Sequence, residues 1–456
     1  MSSAATFLDL YNKGKDKPSY AIWRTTSASS AGIDHVLLEM RPKLDKEAGT
    51  SIGMWPHNVR VLDQLGLLDE ALDLYMPVLN KINLRRDGTV TSRNDMFAAI
   101  QRNHGHDFMC FHRARLMDLL YRRLPANTER VLFNKKVLAI EETTPDSVTV
   151  TCGDGSTYTG SMVLGADGVH SAVRRLMNRN VGGDSEAEKE DNCFKASYRG
   201  LYGYAARSPQ LQESTIYETH GKSFSIQLVV AEKQQHFIVY EKLDYPTSKM
   251  GQRFTDVHRD AMAARFADVK FAEGVTFGDV WATSHWSNMS LIEEGTVSRW
   301  HHGRVVLVGD AAHKMTPNSG FGMNSGVQGV VSLINRLHEL LNGHKEMTPD
   351  SGELEQAFRD YRSARLRAAR SIVQLCGMYT RGVTWDNFLL RLADQHILPF
   401  LGGDVMTLRL LLSPMVQKGE VLSFLQEKNF REGTKGYNNP PQVVGLDEKT
   451  ILTTVI

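Results

Sequence analysis

Two carboxylates stand where open α/β sheets place ligand-binding groups. Asp310 closes the apolar run "RVVLVGD" (304–310), and Glu39 closes "GIDHVLLE" (32–39). Ligands of such sheets bind beyond the carboxyl ends of the strands, where an acidic residue holds the ribose hydroxyls of a dinucleotide. After Asp310 the chain reads "AAHKMTPNSGFGMN", with Pro317, Gly320 and Gly322 ahead of a helical stretch beginning near Asn324. Small residues there let backbone amides approach a ligand, and the helix dipole favours a group that gains negative charge. A second turn, "VLGADGVHSAVRR" (163–175), joins an apolar strand through Asp167-Gly168 to a helix with Ser171 in its first turn. A glycine at that place supplies a positive φ, and an ordinary strand-to-helix turn would use the same residues.

These groups need elements to hold them. Residues 33–75 predict strand, loop and helix, with "VRVLDQLGLLDEALDLY" at helical apolar spacing. "FHRARLMDLLYRRL" (111–124) predicts a second amphipathic helix. The stretch 130–168 alternates like strands around a D-G turn. Residues from about 190 to 290 are strand-rich, "SFSIQLVV" and "QHFIVYEKL" carrying apolar residues at period two. Beyond 350 the pattern is helical. One expected piece is missing. A G-x-G-x-x-G turn should lie roughly 20 residues before Glu39, but "KGKDKPSYAIWRTTSASSAG" offers only Gly14 and Gly32.

Composition narrows the function classes. The 456 residues suffice for two or three domains. Lys+Arg 53 against Asp+Glu 52 leaves no electrostatic footprint for nucleic acid. Cys110, Cys152, Cys193 and Cys376 form no C-x-x-C, so neither a zinc site nor a disulfide framework is implied. No apolar signal-peptide core opens the sequence, and no run of 18 or more apolar residues appears. The expectation is an intracellular enzyme, cytoplasmic or peripherally membrane-associated. "FLLRLADQHILPFLGGDVMTLRLLL" (388–412) reads as an interfacial helix pair or, preferably, ordinary domain packing.

The pair "GADGVHSAVRR" and "GDAAHKMTPNSGFGMN" resembles the DG and GD motifs of class A FAD-dependent monooxygenases of the p-hydroxybenzoate hydroxylase type. The likeness runs from about residue 32 to 430. The stretch "AGIDHVLLEMR…GTSIGMWPHNVRVLDQLGLLDE" is most similar to fungal terpenoid, meroterpenoid and indole-diterpene epoxidases of secondary metabolism. The resemblance implies FAD, with NADPH or NADH as reductant. Glu39 would hold the adenosine ribose, and Gly53 would line the FAD channel. Arg113 would reach the phosphates or ribityl chain, Asp310 would bind ribityl hydroxyls, and Met323 would sit beside the isoalloxazine. Related enzymes also place a tyrosine or arginine of the substrate domain toward the flavin, which makes Tyr217 and Arg199 the catalytic candidates. Packing is the alternative for both, as is a solvated basic face for Arg113. His313 reads as a structural histidine, and adjacent His301 and His302 lack the spaced partners of a metal site.

The expected fold is α/β: a Rossmann-like FAD-binding domain, an inserted strand-rich substrate domain and a helical C-terminal region. The first part of the FAD domain spans 1–190, its body drawn from near 1–80 and 100–190. The substrate domain spans 191–295, the second part of the FAD domain 296–345, and the helical region 346–456. The expected reaction is epoxidation of a prenyl or terpenoid chain on a small apolar substrate. The alternatives are aromatic hydroxylation and a flavin-deficient, non-catalytic homologue. For the missing turn, a first exon foreign to the gene and a true loss of the glycine loop both stand.

Overall fold

The computed structural model describes residues 4–9, 31, 33–44, 49–123, 131–248, 252–343 and 349–441. A six-stranded sheet runs in the order His301–His302, Val305–Leu307, Met162–Gly165, Ala4–Asp9, Asp34–Glu39, Val131–Leu132. Val36, Leu37, Leu38, Val163, Leu164, Val306 and Leu307 are each 1% exposed or less. Such runs are apolar on both faces because both faces of the sheet are covered, the shared core taking in Val59, Leu116 and Leu333 from helices and Ile140 and Val150 from the strands Val137–Thr144 and Ser147–Cys152. Each large apolar side chain so buried contributes about 1.5–3 kcal/mol. Met162–Gly165 pairs parallel with Val305–Leu307, and Asp34–Glu39 parallel with Val131–Leu132. The strand between the two pairs does not conform. Ala4–Asp9 is antiparallel to both neighbours, with Ala4 opposite Glu39 and Ala5 opposite Gly165.

The second sheet has eight strands, in the order His313–Lys314, Ser284–Thr296, Lys195–Ala206, Gln234–Thr247, Phe224–Val230, Thr215–Gly221, Asn80–Leu84, Val90–Asn94. Its last two strands come from the first third of the chain. Asn80–Leu84 pairs parallel with Thr215–Gly221, so this eight-stranded sheet recruits a hairpin across the boundary expected at 190. One face of this sheet packs a core of its own, with Leu228, Phe237 and Phe277 fully buried.

Helical patterning also needs one correction. "VRVLDQLGLLDEALDLY" forms two helices, Pro56–Gln64 and Leu68–Leu74, because Gly66 between them takes φ 67°. The helix after the GD motif starts at Phe321, three residues earlier than expected, and ends at Gly343. Ser351–Val383 is a single helix of 33 residues opened by an Asp350/Glu353 capping box. It ties the two sheets together. Tyr361 donates to the carbonyl of Leu307 at 3.2 Å in the first sheet, and Tyr379 and Arg381 donate to Glu218 and Glu294 in the second.

The 388–412 segment folds as helices Phe388–His396 and Gly403–Thr407 followed by a π turn, Leu408–Leu412. Leu408 and Leu412 are buried, but Phe388 and Leu389 are 73% exposed and Phe400 is 86% exposed. The preference for plain domain packing therefore holds only for the inner side of this segment. Among the described residues no helix is long and apolar enough to cross a membrane.

Candidate active site

A cavity of about 930 Å³ lies between the two sheets, and the sequence motifs converge on it. Gly53, Arg113, Asp310 and Met323 all line it, as do Gly168 of the DG turn and Gly309, Gly320 and Gly322 of the GD loop. Each arrives by local logic. The strand Val305–Leu307 delivers Asp310 to a one-turn 3₁₀ helix, and Gly309 at φ 60° makes that turn. Gly320 at φ 67° redirects the chain into the Phe321–Gly343 helix. Arg113 opens the Arg113–Arg122 helix, and its amide donates to the carbonyl of Thr50 at 3.1 Å. Gly53 has no room for a side chain, because a Cβ there would overlap the Phe108 ring.

Two residues that the sequence reading did not single out for these roles fix this geometry. The buried amide of Asn324 accepts from the amide of Trp55 at 2.8 Å and from Asn58 Nδ2 at 2.7 Å. It donates to the carbonyls of Gly53 at 2.7 Å and Gly320 at 2.6 Å. That is the full hydrogen-bonding capacity of a carboxamide, so the channel strand and the GD loop are locked in register. Arg174, fully buried, donates to the carbonyls of Val169 at 2.7 Å and Ala311 at 3.0 Å, joining the DG and GD turns. Asp167 serves the turn itself. It accepts from the hydroxyl of Ser171 and from the amide of Val173.

Glu39 is 2% exposed and ends its strand beside Arg41, whose amide it accepts at 2.9 Å. Burial raises its pKa, with the Arg41 amide and guanidinium opposing. Arg41, Pro42 and Lys43 carry this end of the sheet into the cavity wall. At the other end the lining is aromatic and aliphatic. Trp55 stacks on Phe321 (4.8 Å between rings) and meets the edge of Phe108 (5.3 Å), with Phe97, Ile216 and Val229 alongside.

Tyr217 and Arg199 are not among the lining residues. Strand residues alternate faces, and it is Ile216 that faces the cavity. Tyr217 is 6% exposed in the substrate-sheet core, edge-on to Phe271, its hydroxyl accepting from the amide of Gln212 at 2.8 Å. Arg199 donates to Glu241 at 2.6 Å, and Arg265 engages the same carboxylate. Neither position brings a group to the reacting end. His313 is buried against Trp300, and burial lowers its pKa to about 3, so it stays neutral. Lys81, Gln227, Tyr379 and Asp404 do line the cavity, and no motif pointed to them.

The described residues fit the ring and ribityl end of FAD. Asp310 offers a carboxylate to hydroxyls, Gly320 and Gly322 leave backbone open to a flat ring, and Arg113 brings a cation for phosphate. The pyrophosphate region fits less well. In a dinucleotide fold the strand beside Asp34–Glu39 runs parallel to it and leads into the phosphate turn. Here Ala4–Asp9 runs the other way, so the chain leaves Asp9 at the edge remote from Glu39. The segment that lacks the glycines lies largely outside the described residues.

A family profile described as an FAD binding domain matches residues 27–375. FAD-dependent monooxygenase srdH of Neurospora crassa is 32% identical over 409 residues, covering 87% of this chain and 91% of its own. FAD-dependent monooxygenase spyC of Aspergillus fumigatus is 33% identical over 385 residues, covering 82% and 80%. Among solved structures, Klebsiella pneumoniae HpxO complexed with FAD and uric acid superposes with a TM-score of 0.67 at 21% identity, covering 86% of this chain and 94% of that one. That likeness speaks for the fold, and the two fungal relatives speak for the lineage. The chain belongs to the FAD-binding-domain family, among its FAD-dependent monooxygenases.

Proposed function

We propose that this FAD-dependent monooxygenase epoxidises an alkene in a prenyl or terpenoid chain, with NADPH or NADH as reductant, in fungal secondary metabolism. The observation that carries the reading is the apolar character of the cavity away from the nucleotide end, where Phe97, Phe108, Ile216 and Val229 form the wall. The chemistry FAD supplies when bound is activation of O₂ for transfer of one oxygen atom to an electron-rich carbon. The protein's part is to exclude water and hold the carbon in place. The Trp55–Phe108–Phe321 cluster does the first, and the Asn324 clamp fixes the loop against which the substrate would lie.

A phenol would call for a general base with a pKa near the working pH. Asp404 is the one substrate-end carboxylate among the described lining residues, and it is a weak base. Burial works to raise its pKa, but Lys81 outweighs that and holds it below the usual carboxylate range. An alkene needs no deprotonation, which favours epoxidation. Asp404 is also what supports the second reading, aromatic hydroxylation. The exposed apolar residues of 388–411, with Arg391 and Arg409 set among them, support a peripheral contact with a membrane surface.

The test is a flavin-loaded enzyme supplied with NADPH, O₂ and a prenylated phenol bearing both reactive groups. Epoxide on the side chain is expected. Ring hydroxylation with the alkene untouched would reverse the order of the two readings.

A further inference from the structure

One wall of this apolar cavity is ionic, and its charges do not balance. The Lys81 ammonium donates to Tyr379 Oη at 2.7 Å and Asp404 Oδ1 at 2.8 Å, and Glu218 Oε2 lies 2.8 Å away. Three donors to three acceptors use up the ammonium. The Tyr379 hydroxyl donates to Glu218, whose other oxygen accepts from Gln227 at 2.9 Å. Behind them His220 lies 3.8 Å from Glu218 and bonds Asp394 at 2.9 Å. Burial opposes charge on Lys81, Glu218, His220 and Asp404, yet their partners prevail. Asp404 and Glu218 hold Lys81 well above its usual range, Lys81 holds Glu218 below its own, and Asp394 with Glu218 pushes His220 up to about 9.

Two cations, Lys81 and His220, thus face three carboxylates, Glu218, Asp404 and Asp394. The Glu218 side chain is fully buried, and that of Asp404 is 11% exposed, on the cavity wall. Asp404 accepts three bonds, from Lys81 and from Asn83 and Asn94, each at 2.8 Å. A carboxylate has about four acceptor sites; Oδ2 takes both asparagine bonds, so the open one is on Oδ1, beside Lys81. A buried excess charge is costly unless a donor meets it.

We propose that Asp404, backed by Lys81 and Tyr379, is the subsite for a hydrogen-bond-donating group, a hydroxyl or N–H, on an otherwise apolar substrate. The donor fixes one end of the substrate at this wall and so selects which carbon of the chain reaches the oxygen-transfer position. A substrate with the donor capped leaves the excess charge unanswered. The inference rests on reading the cavity as the substrate chamber.

Trp55 and Trp286 both line the cavity, so quenching of tryptophan fluorescence in the holoenzyme reports occupancy. The probes are farnesol and farnesyl methyl ether, in which a methyl group replaces the donated hydrogen. Farnesol is expected to bind about ten- to a hundredfold more tightly, the worth of a hydrogen bond to a charged group. Asp404→Asn should bring the two affinities together while leaving that for the ether unchanged. Should that variant not fold, Tyr379→Phe, which removes an acceptor from Lys81 and so frees an ammonium donor to meet Asp404, should narrow the same ratio. Equal affinities in the unaltered enzyme, or no binding of either probe, would overturn the proposal. Donor discrimination without oxygenation of the alkene would sink the epoxidase reading alone. Oxygenation of both probes with equal affinity would sink the subsite alone.

Discussion

Glu39 ends one strand of the sheet, Asp310 sits in the turn that follows another, and they meet different parts of the same wall, the first through Arg41 and the second directly. If Asp310 holds ribityl hydroxyls, Asp310→Ala removes hydrogen bonds to a charged group, worth roughly 1.5–3 kcal/mol. FAD should then bind about ten- to a hundredfold more weakly. Glu39→Ala should weaken it similarly at the ribose. Titration followed by flavin fluorescence checks both, and unchanged curves would reject the two assignments. These positions were legible because strand, turn and helix follow one another in the chain, so a motif carries its own geometry. Tyr217 shows where that stops. Period-two alternation says that neighbours face opposite ways but not which face is lined by the cavity, and one residue of phase exchanges Ile216 for Tyr217. The Lys81–Tyr379–Asp404 wall was illegible for another reason. It joins a strand, a long helix and a short helix that only the tertiary fold brings together.

Among elements, the reversed strand Ala4–Asp9 has the sharpest consequence. It fills the slot between Asp34–Glu39 and Met162–Gly165 and satisfies their hydrogen bonds, so the sheet closes. It does not point its carboxyl end at the ligand, and the residues that follow it lack the loop glycines. The chain as it stands should therefore purify with less than one FAD per protein. Replacing residues 1–30 by a strand–GxGxxG–helix segment should raise flavin content toward one, measured by absorbance against protein concentration. A stoichiometric flavin from the unaltered chain would show that the rest of the site suffices. The Ser351–Val383 helix was readable because its pattern is unbroken. The Asn80–Asn94 hairpin was not assigned to the substrate sheet, since edge pairing depends on where a distant strand ends.

At the scale of the molecule, buried histidines set the pH range of stability. His57, His236 and His313 have pKa values lowered to about 3, and His104 and His106 to about 4, burial being the first cause in each. Unfolded, these rings titrate near about 6.5. Below that the unfolded chain takes up protons that the native state refuses, so stability falls as pH drops from about 6.5 toward 4. His220 works in the opposite sense. Asp394 and Glu218 raise it to about 9 against the burial penalty, so its contribution is complete below about 6.5 and is lost as pH climbs through about 9. Urea midpoints should peak between these arms. His220→Gln should flatten the alkaline arm and leave the acid arm in place. An alkaline arm unchanged in the variant would show that other groups carry it.

The cavity's walls are written far apart in the gene. Arg41 and Gly53 leave the ribosome early, whereas Asp310, Met323 and Asp404 come late. At about 5–20 residues per second, the early half waits on the order of tens of seconds for its counterpart. The cavity has only part of its wall during that interval, and the apolar strands lack the partners that bury them in the finished fold. A chain cut short before the GD loop would leave synthesis with only the Arg41, Gly53 and Arg113 side of that wall.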